Sequence, residues 1–168
     1  MSRRTRPTSD ATPEKPEDQA KQVVEEARMV LPGIQALFGF QLIAVFNQRY
    51  VELSAANRNL HLAALFLIGI SAALIMTPAA YHRQAEPGQV SLFFISLASR
   101  LLAWAMLALA LGICLDIYIV ARLTPLNWLA SATIAGGLLS IYLGAWFVFP
   151  RLKIGRPPGA VASHDRVG

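Results

Sequence analysis

The 168-residue chain is 55% hydrophobic and only 15% charged, with a formal net charge of +5. The basic surplus fits membrane topology and attraction to anionic lipid. Nucleic-acid binding would want basic residues clustered with stacking aromatics on a folded face, and no such cluster is present. The single cysteine, Cys114, excludes an intrachain disulfide and, in a monomer, a thiol oxidoreductase that needs a resolving partner; it reads as a small buried hydrophobe.

In chain order, residues 1–21 are rich in Pro, Arg, Lys, Asp and Glu with almost nothing to bury, and read as a disordered cytoplasmic tail. Acidic residues precede the first apolar run and no small-residue cleavage site follows it, so this start is expected to stay attached rather than act as a signal peptide. Residues 22–150 then hold four apolar stretches, at 29–46, 60–80, 90–120 and 126–149. A bilayer core of roughly 30 Å needs about 20 helical residues to cross it. The first stretch is short, but Arg28 at one end and Asn47 and Gln48 at the other can snorkel to the headgroups. Pro32 and Gly33 predict a bend that brings the Glu25 and Glu26 carboxylates toward the layer of His82, Arg83 and Arg100.

The second stretch spans comfortably. The third is too long for one perpendicular crossing, so it tilts or lays residues 90–99 in the interface. Thr124 and Pro125 read as the N-cap and first-turn proline of the fourth helix, which makes helices three and four an antiparallel hairpin. Trp128 and Trp146, about 27 Å apart at helical rise, match the spacing of the two interfacial aromatic belts. Residues 151–168 read as a second disordered cytoplasmic tail.

Apolar residues surround each stretch instead of forming one stripe, which excludes a soluble bundle, and the short alternating strands of a β-barrel are missing. Eleven of the fifteen Lys and Arg lie before the first apolar stretch, after the last one or at Arg83. The expected fold is therefore an all-α, four-helix transmembrane bundle, up-down-up-down, with both termini cytoplasmic in the inner (plasma) membrane.

Small residues recur every fourth position along helix four, at Ala132, Gly136, Ser140 and Gly144, with a shorter row of Ala105, Ala108 and Gly112 on helix three. Such rows permit close helix contact in lipid, here expected mainly inside the bundle and secondarily between copies of the chain.

Polar groups within apolar spans are where chemistry is to be sought. On the cytoplasmic side these are Glu25, Glu26, Arg28, Gln35, His82, Arg83 and Arg100, expected to form a structural layer in which Glu25 or Glu26 pairs with Arg100. The helix three and four hairpin sets Arg100 level with Phe147, at the membrane edge, whereas folding against helix two sets it near Ser71. On the other side lie Asn47, His61, Asn127 and one embedded acid, Asp116. A bis-His haem is excluded because His61 and His82 sit about 31 Å apart on one helix. No metal-binding, phosphate-loop or nucleophile-elbow motif appears, so no cofactor and no catalytic residue are expected.

Leu31-Pro32-Gly33-Ile34-Gln35, then Pro78-Ala79-Ala80-Tyr81-His82-Arg83, then Ala98-Ser99-Arg100 resemble, in order and spacing, a family of small bacterial membrane proteins catalogued only as a domain of unknown function. The resemblance covers residues 25–150. Ala79 and Ser99 depart from that family's usual Pro-Val-Ala-Tyr-His-Arg and Ala-Asn-Arg. It implies a four-helix inner-membrane protein without assigned activity and singles out Gln35, Tyr81, His82, Arg83 and Arg100; Asp116 lies outside the pattern. The functional expectation is a non-enzymatic accessory or interaction subunit, with lipids, a second copy or another membrane protein as partners. The alternative is a small oligomeric transporter or channel. The four-helix multidrug exporters, which the chain resembles in size, use a Glu in helix one where this chain has only Gln35 and Gln41, so proton coupling here would have to use Asp116.

Overall fold

A computed structural model describes residues 16–86 and 91–154. It contains α1 (Pro16–Ala44), a single-turn α2 (Gln48–Val51), α3 (Ala55–Ala85), α4 (Leu92–Arg122), α5 (Trp128–Leu143), a π-helical turn (Gly144–Val148) and α6 (Phe149–Ile154). Four stretches are long and apolar enough to cross a bilayer: Lys21–Ala44, Ala55–Ala85, Leu92–Arg122 and Trp128–Leu152. Large apolar side chains such as Phe66, Trp104 and Trp128 are exposed on their outer faces. In water that surface would be a severe aggregation liability, and in lipid it is the ordinary solvent-facing side.

Helix α1 already includes residues 16–21 and α6 runs through Ile154, so helix continues past the expected tail boundaries at 21 and 151, while the apolar spans themselves begin at Lys21 and end at Leu152. The rest of the tails, 1–15 and 155–168, and residues 87–90 of the turn before α4 lie outside the described residues. Helix α1 also continues through Pro32. Helix α4 is one unbroken helix of 31 residues, as long as α3, and begins at Leu92 with Ser91 as its N-cap. Each is about 46 Å long, so both must tilt or extend into the headgroups.

The fourth span starts later than Thr124-Pro125 suggests. Asn127 is the N-cap, its Oδ1 accepting from the Ala130 amide at 2.8 Å. Thr124 instead turns its hydroxyl back to the Ala121 carbonyl at 2.6 Å, closing the end of α4. Both residues have capping chemistry; the turn length decides which helix each one serves.

Helices α3 and α4 form the centre. Buried positions on α3 run His61, Ala64, Ile68, Ser71, Ile75 and Pro78, alternating steps of three and four, which is the seam of a left-handed helix pair. Opposite them stand Phe94, Ala98, Ala105, Ala108 and Gly112 of α4. The expected small-residue row on helix three is therefore a true contact surface. The backbones come close enough that a Cβ on Gly112 would sit 2.8 Å from Ile68 Cγ1. Ser71, fully buried, donates its hydroxyl to the Ala105 carbonyl at 2.9 Å, and Tyr81 stacks on Phe94. These pairings fix an antiparallel register in which Arg100 lies level with Met76, nearer the end of α3 than Ser71. Helix α1 crosses the same seam antiparallel to α3, with Ile34 in a cluster with Ile68, Ile75 and Ala105.

Helix α5 is different. Its principal contact is with α4, and Ser131 is its one buried residue. A Cβ at Gly136 or Gly144 would meet nothing within 4 Å, and Ser140 is exposed, its hydroxyl folded back onto the Gly136 carbonyl at 2.8 Å. Ala132 is half-buried. The expected burial of this row inside the bundle is thus corrected: four-residue spacing permits close approach but does not say which side the neighbour is on. Gly136→Leu is expected to leave the monomer's melting temperature in detergent unchanged, apart from a slight gain from replacing a helical glycine. A marked loss would place a close neighbour on this face.

Candidate functional site

The polar residues expected to form a cytoplasmic layer do not come together. Glu25, Glu26, Gln35, Arg83 and Arg100 are all exposed, and among the described residues no carboxylate lies within ion-pairing distance of Arg100. Glu25 and Glu26 share an end of the bundle with Arg100 but point outward from it. The expected Arg100 pairing is corrected accordingly, because a helix buries only the stripe that faces its neighbours and these positions lie off that stripe. Tyr81 and His82 do pack, against Phe93 and Phe94, with His82 and Phe94 ring centroids 5.3 Å apart. Arg100→Ala is expected to change stability by no more than about 0.5 kcal/mol, like Arg49→Ala, as befits an exposed side chain with no partner among the described residues. Thermal unfolding of the two variants side by side checks this.

The convergence occurs at the opposite end. Gln41, from the last turn of α1, His61, from the second turn of α3, and Asp116, six residues before the end of α4, meet about 5–9 Å inside their helix ends. The a/d stepping of α3 turns His61 inward, and the α3–α4 register brings Asp116 opposite it. Gln41 Nε2 donates to Asp116 Oδ2. His61 Nε2 lies 3.1 Å from the backbone carbonyl of Gln41, and its Nδ1 lies 3.6 Å from Asp116 Oδ1. The Tyr50 ring, from the turn between α1 and α3, meets the imidazole edge-on at 5.4 Å. Gln41 and His61 are 4% and 7% exposed, so this is a buried polar knot joining three helices.

Above it opens a cleft of about 410 Å³, lined by α1, the 45–54 connection, α3 and the end of α4. Asn47 and Arg49 stand in its wall; Asn47 Oδ1 accepts from the Arg49 amide at 3.0 Å and so caps α2. A second cleft of about 170 Å³ lies toward the other end, between α1, α3 and α4, and is lined almost wholly by aliphatic residues with Arg28. Among the described residues no three His, Cys, Asp or Glu side chains gather as a metal centre would require.

Asp116 was recognisable in sequence as an embedded acid, and His61 as a polar residue on the same side. Gln41 is the member that sequence reasoning missed. Its signal is a lone amide in the apolar run Phe38–Phe46, a placement costly in lipid unless the side chain has a partner.

Four long apolar helices, lipid-facing outer surfaces and a polar knot within the spans define a small multi-pass integral membrane protein. The chain belongs to the family of unknown function DUF6328, whose model matches residues 10–150. That is an uncharacterised family, as the motif resemblance implies, and the match begins earlier than residue 25. No curated protein and no solved structure matches the chain.

Proposed function

We propose that the protein is a small, non-enzymatic membrane transporter whose working group is Asp116, loaded with a proton through its pairing with His61. Both termini face the cytoplasm in this reading, the membrane is the inner (plasma) membrane, and the Asp116 cleft opens to the outer side. The observation that carries it is a half-buried carboxylate beside a buried imidazole, inside two spans at the foot of an open cleft. Charge in a bilayer is costly, and where it is retained beside a cavity it generally marks an ion or substrate path. The test is proton flux into proteoliposomes read by a luminal pH dye, with Asp116→Asn expected to abolish it. Reporter fusions after Asn57 and at the C-terminus test the orientation; an external C-terminus inverts it.

An accessory subunit that acts by helix packing is the second reading. The exposed Gly136 and Ser140 on α5 favour it, since small residues open to lipid suit another helix, whether from a second copy or another membrane protein. Cysteine crosslinking from position 136 in a Cys114→Ala background tests it.

A further inference from the structure

We propose that the Asp116 cleft binds a lipophilic ammonium ion, an organic cation with N–H donors and an apolar body, in exchange for a proton held between His61 and Asp116. This rests on the cleft being the working site.

The proton follows from the hydrogen-bond inventory. The Gln41 carbonyl can only accept, so the His61 Nε2 facing it at 3.1 Å carries hydrogen. A neutral imidazole in that tautomer would aim the Nδ1 lone pair at Asp116 Oδ1, 3.6 Å away. Two acceptors would then face each other in a low-dielectric site, where such opposition is costly. One proton between them turns repulsion into attraction. The pair is therefore matched with one proton aboard and mismatched with none.

The ligand's donors follow from Gln41. Its amide nitrogen is committed to Asp116, which leaves Oε1 as a buried acceptor without a hydrogen-bond partner among the described residues. Such atoms are rare, because a buried polar group normally finds a partner. Gln41 Oε1 and the Asp116 carboxylate together form an acceptor pair suited to a charged N–H group.

The apolar body follows from the lining. Phe40, Leu53, Ile119, Val120 and Leu123 surround the acceptors. An inorganic cation would ask for a near-complete shell of oxygens, whereas an organic ammonium needs only acceptors at its head and hydrocarbon along its length. The Phe40 ring adds an aromatic face for the charge.

Exchange follows from the other charges. The titratable groups in the cleft are Arg49 of α2, Tyr50, His61 of α3 and Asp116 of α4; α1 contributes Gln41 and Phe40, which do not titrate. Arg49 and a protonated His61 both oppose an added cation, so the ammonium enters as the proton leaves and the charge at the foot of the cleft stays constant.

The test is calorimetric titration of the full chain in nanodiscs with benzylammonium, benzoate and tetramethylammonium, each in two buffers of different ionisation enthalpy. Saturable benzylammonium binding, with about one proton released per ion bound, is expected, and none for benzoate. Gln41→Leu should weaken benzylammonium by about tenfold while leaving tetramethylammonium, which has no N–H, little changed. Phe40→Ala, at an exposed position where folding is not at stake, should weaken both cations, and Arg49→Ala should tighten them. Failure of benzylammonium to saturate, binding without proton release, or equal binding to Asp116→Asn would overturn the proposal. Proton flux lost in Asp116→Asn without benzylammonium binding would sink the ligand class and keep the transport reading. Proton-releasing binding without flux would do the reverse.

Discussion

Asp116→Ala is expected to cost about 1–3 kcal/mol, the range for leaving a buried polar group without its hydrogen-bond partner. Two groups lose their complement at once. The Gln41 amide loses its acceptor, and His61 Nδ1 loses the carboxylate oxygen beside it. Asp116→Asn keeps the volume and an oxygen that can accept from Gln41, so its cost should be distinctly smaller. The pair of variants therefore separates folding from function. Thermal unfolding in detergent measures both, and equal melting temperatures for Asp116→Ala and wild type would mean that the knot contributes nothing to stability.

Gly112→Leu is the second large effect. Even the first carbon of the new side chain would stand 2.8 Å from Ile68 Cγ1 and 3.3 Å from the Ala64 carbonyl oxygen. Ile68 is fully buried between α1 and α4, and the Ala64 carbonyl is helix backbone, so neither can retreat without separating α3 from α4. Overpacking of this kind costs about 1–3 kcal/mol, and the upper part of that range is expected here. Gly112→Ala should fall lower. Both are read from the loss of monodisperse protein on heating, and they contrast with Gly136→Leu, which meets open space. An unperturbed Gly112→Leu would mean that the seam is looser than the Ser71 and Ala105 hydrogen bond implies.

That contrast between two glycine rows shows where sequence stops. Gly112 and Gly136 look alike in the chain, each in a row of small residues at helical spacing, and only the partner helix tells them apart. The spans themselves were legible because lipid imposes a length and forbids unpaired backbone, constraints that each segment must meet alone. The Ala105, Ala108 and Gly112 contact was legible for the related reason that close helix approach needs small side chains. Register was not. The turn before α4 and the turn after it give different depths for Arg100, and the Ser71–Ala105 contact places it level with Met76. The same register joins His61 to Asp116 across 55 residues, while Gln41 joins through a third helix, so no local pattern links the three. Asp116 stood out by its charge alone. The polar residues near Arg100 stood out by the family motif, yet most of them face outward.

The central claim is that the protein works through the Gln41, His61 and Asp116 cleft and not through the residues around Arg100. Proton flux in proteoliposomes reconstituted with equal amounts of monodisperse wild type, Asp116→Asn, Arg100→Ala and the double variant Glu25→Gln/Glu26→Gln tests it most directly. The account predicts that Asp116→Asn falls to the rate of empty liposomes while the other variants retain wild-type flux. Flux that survives Asp116→Asn and disappears with Arg100→Ala would contradict it.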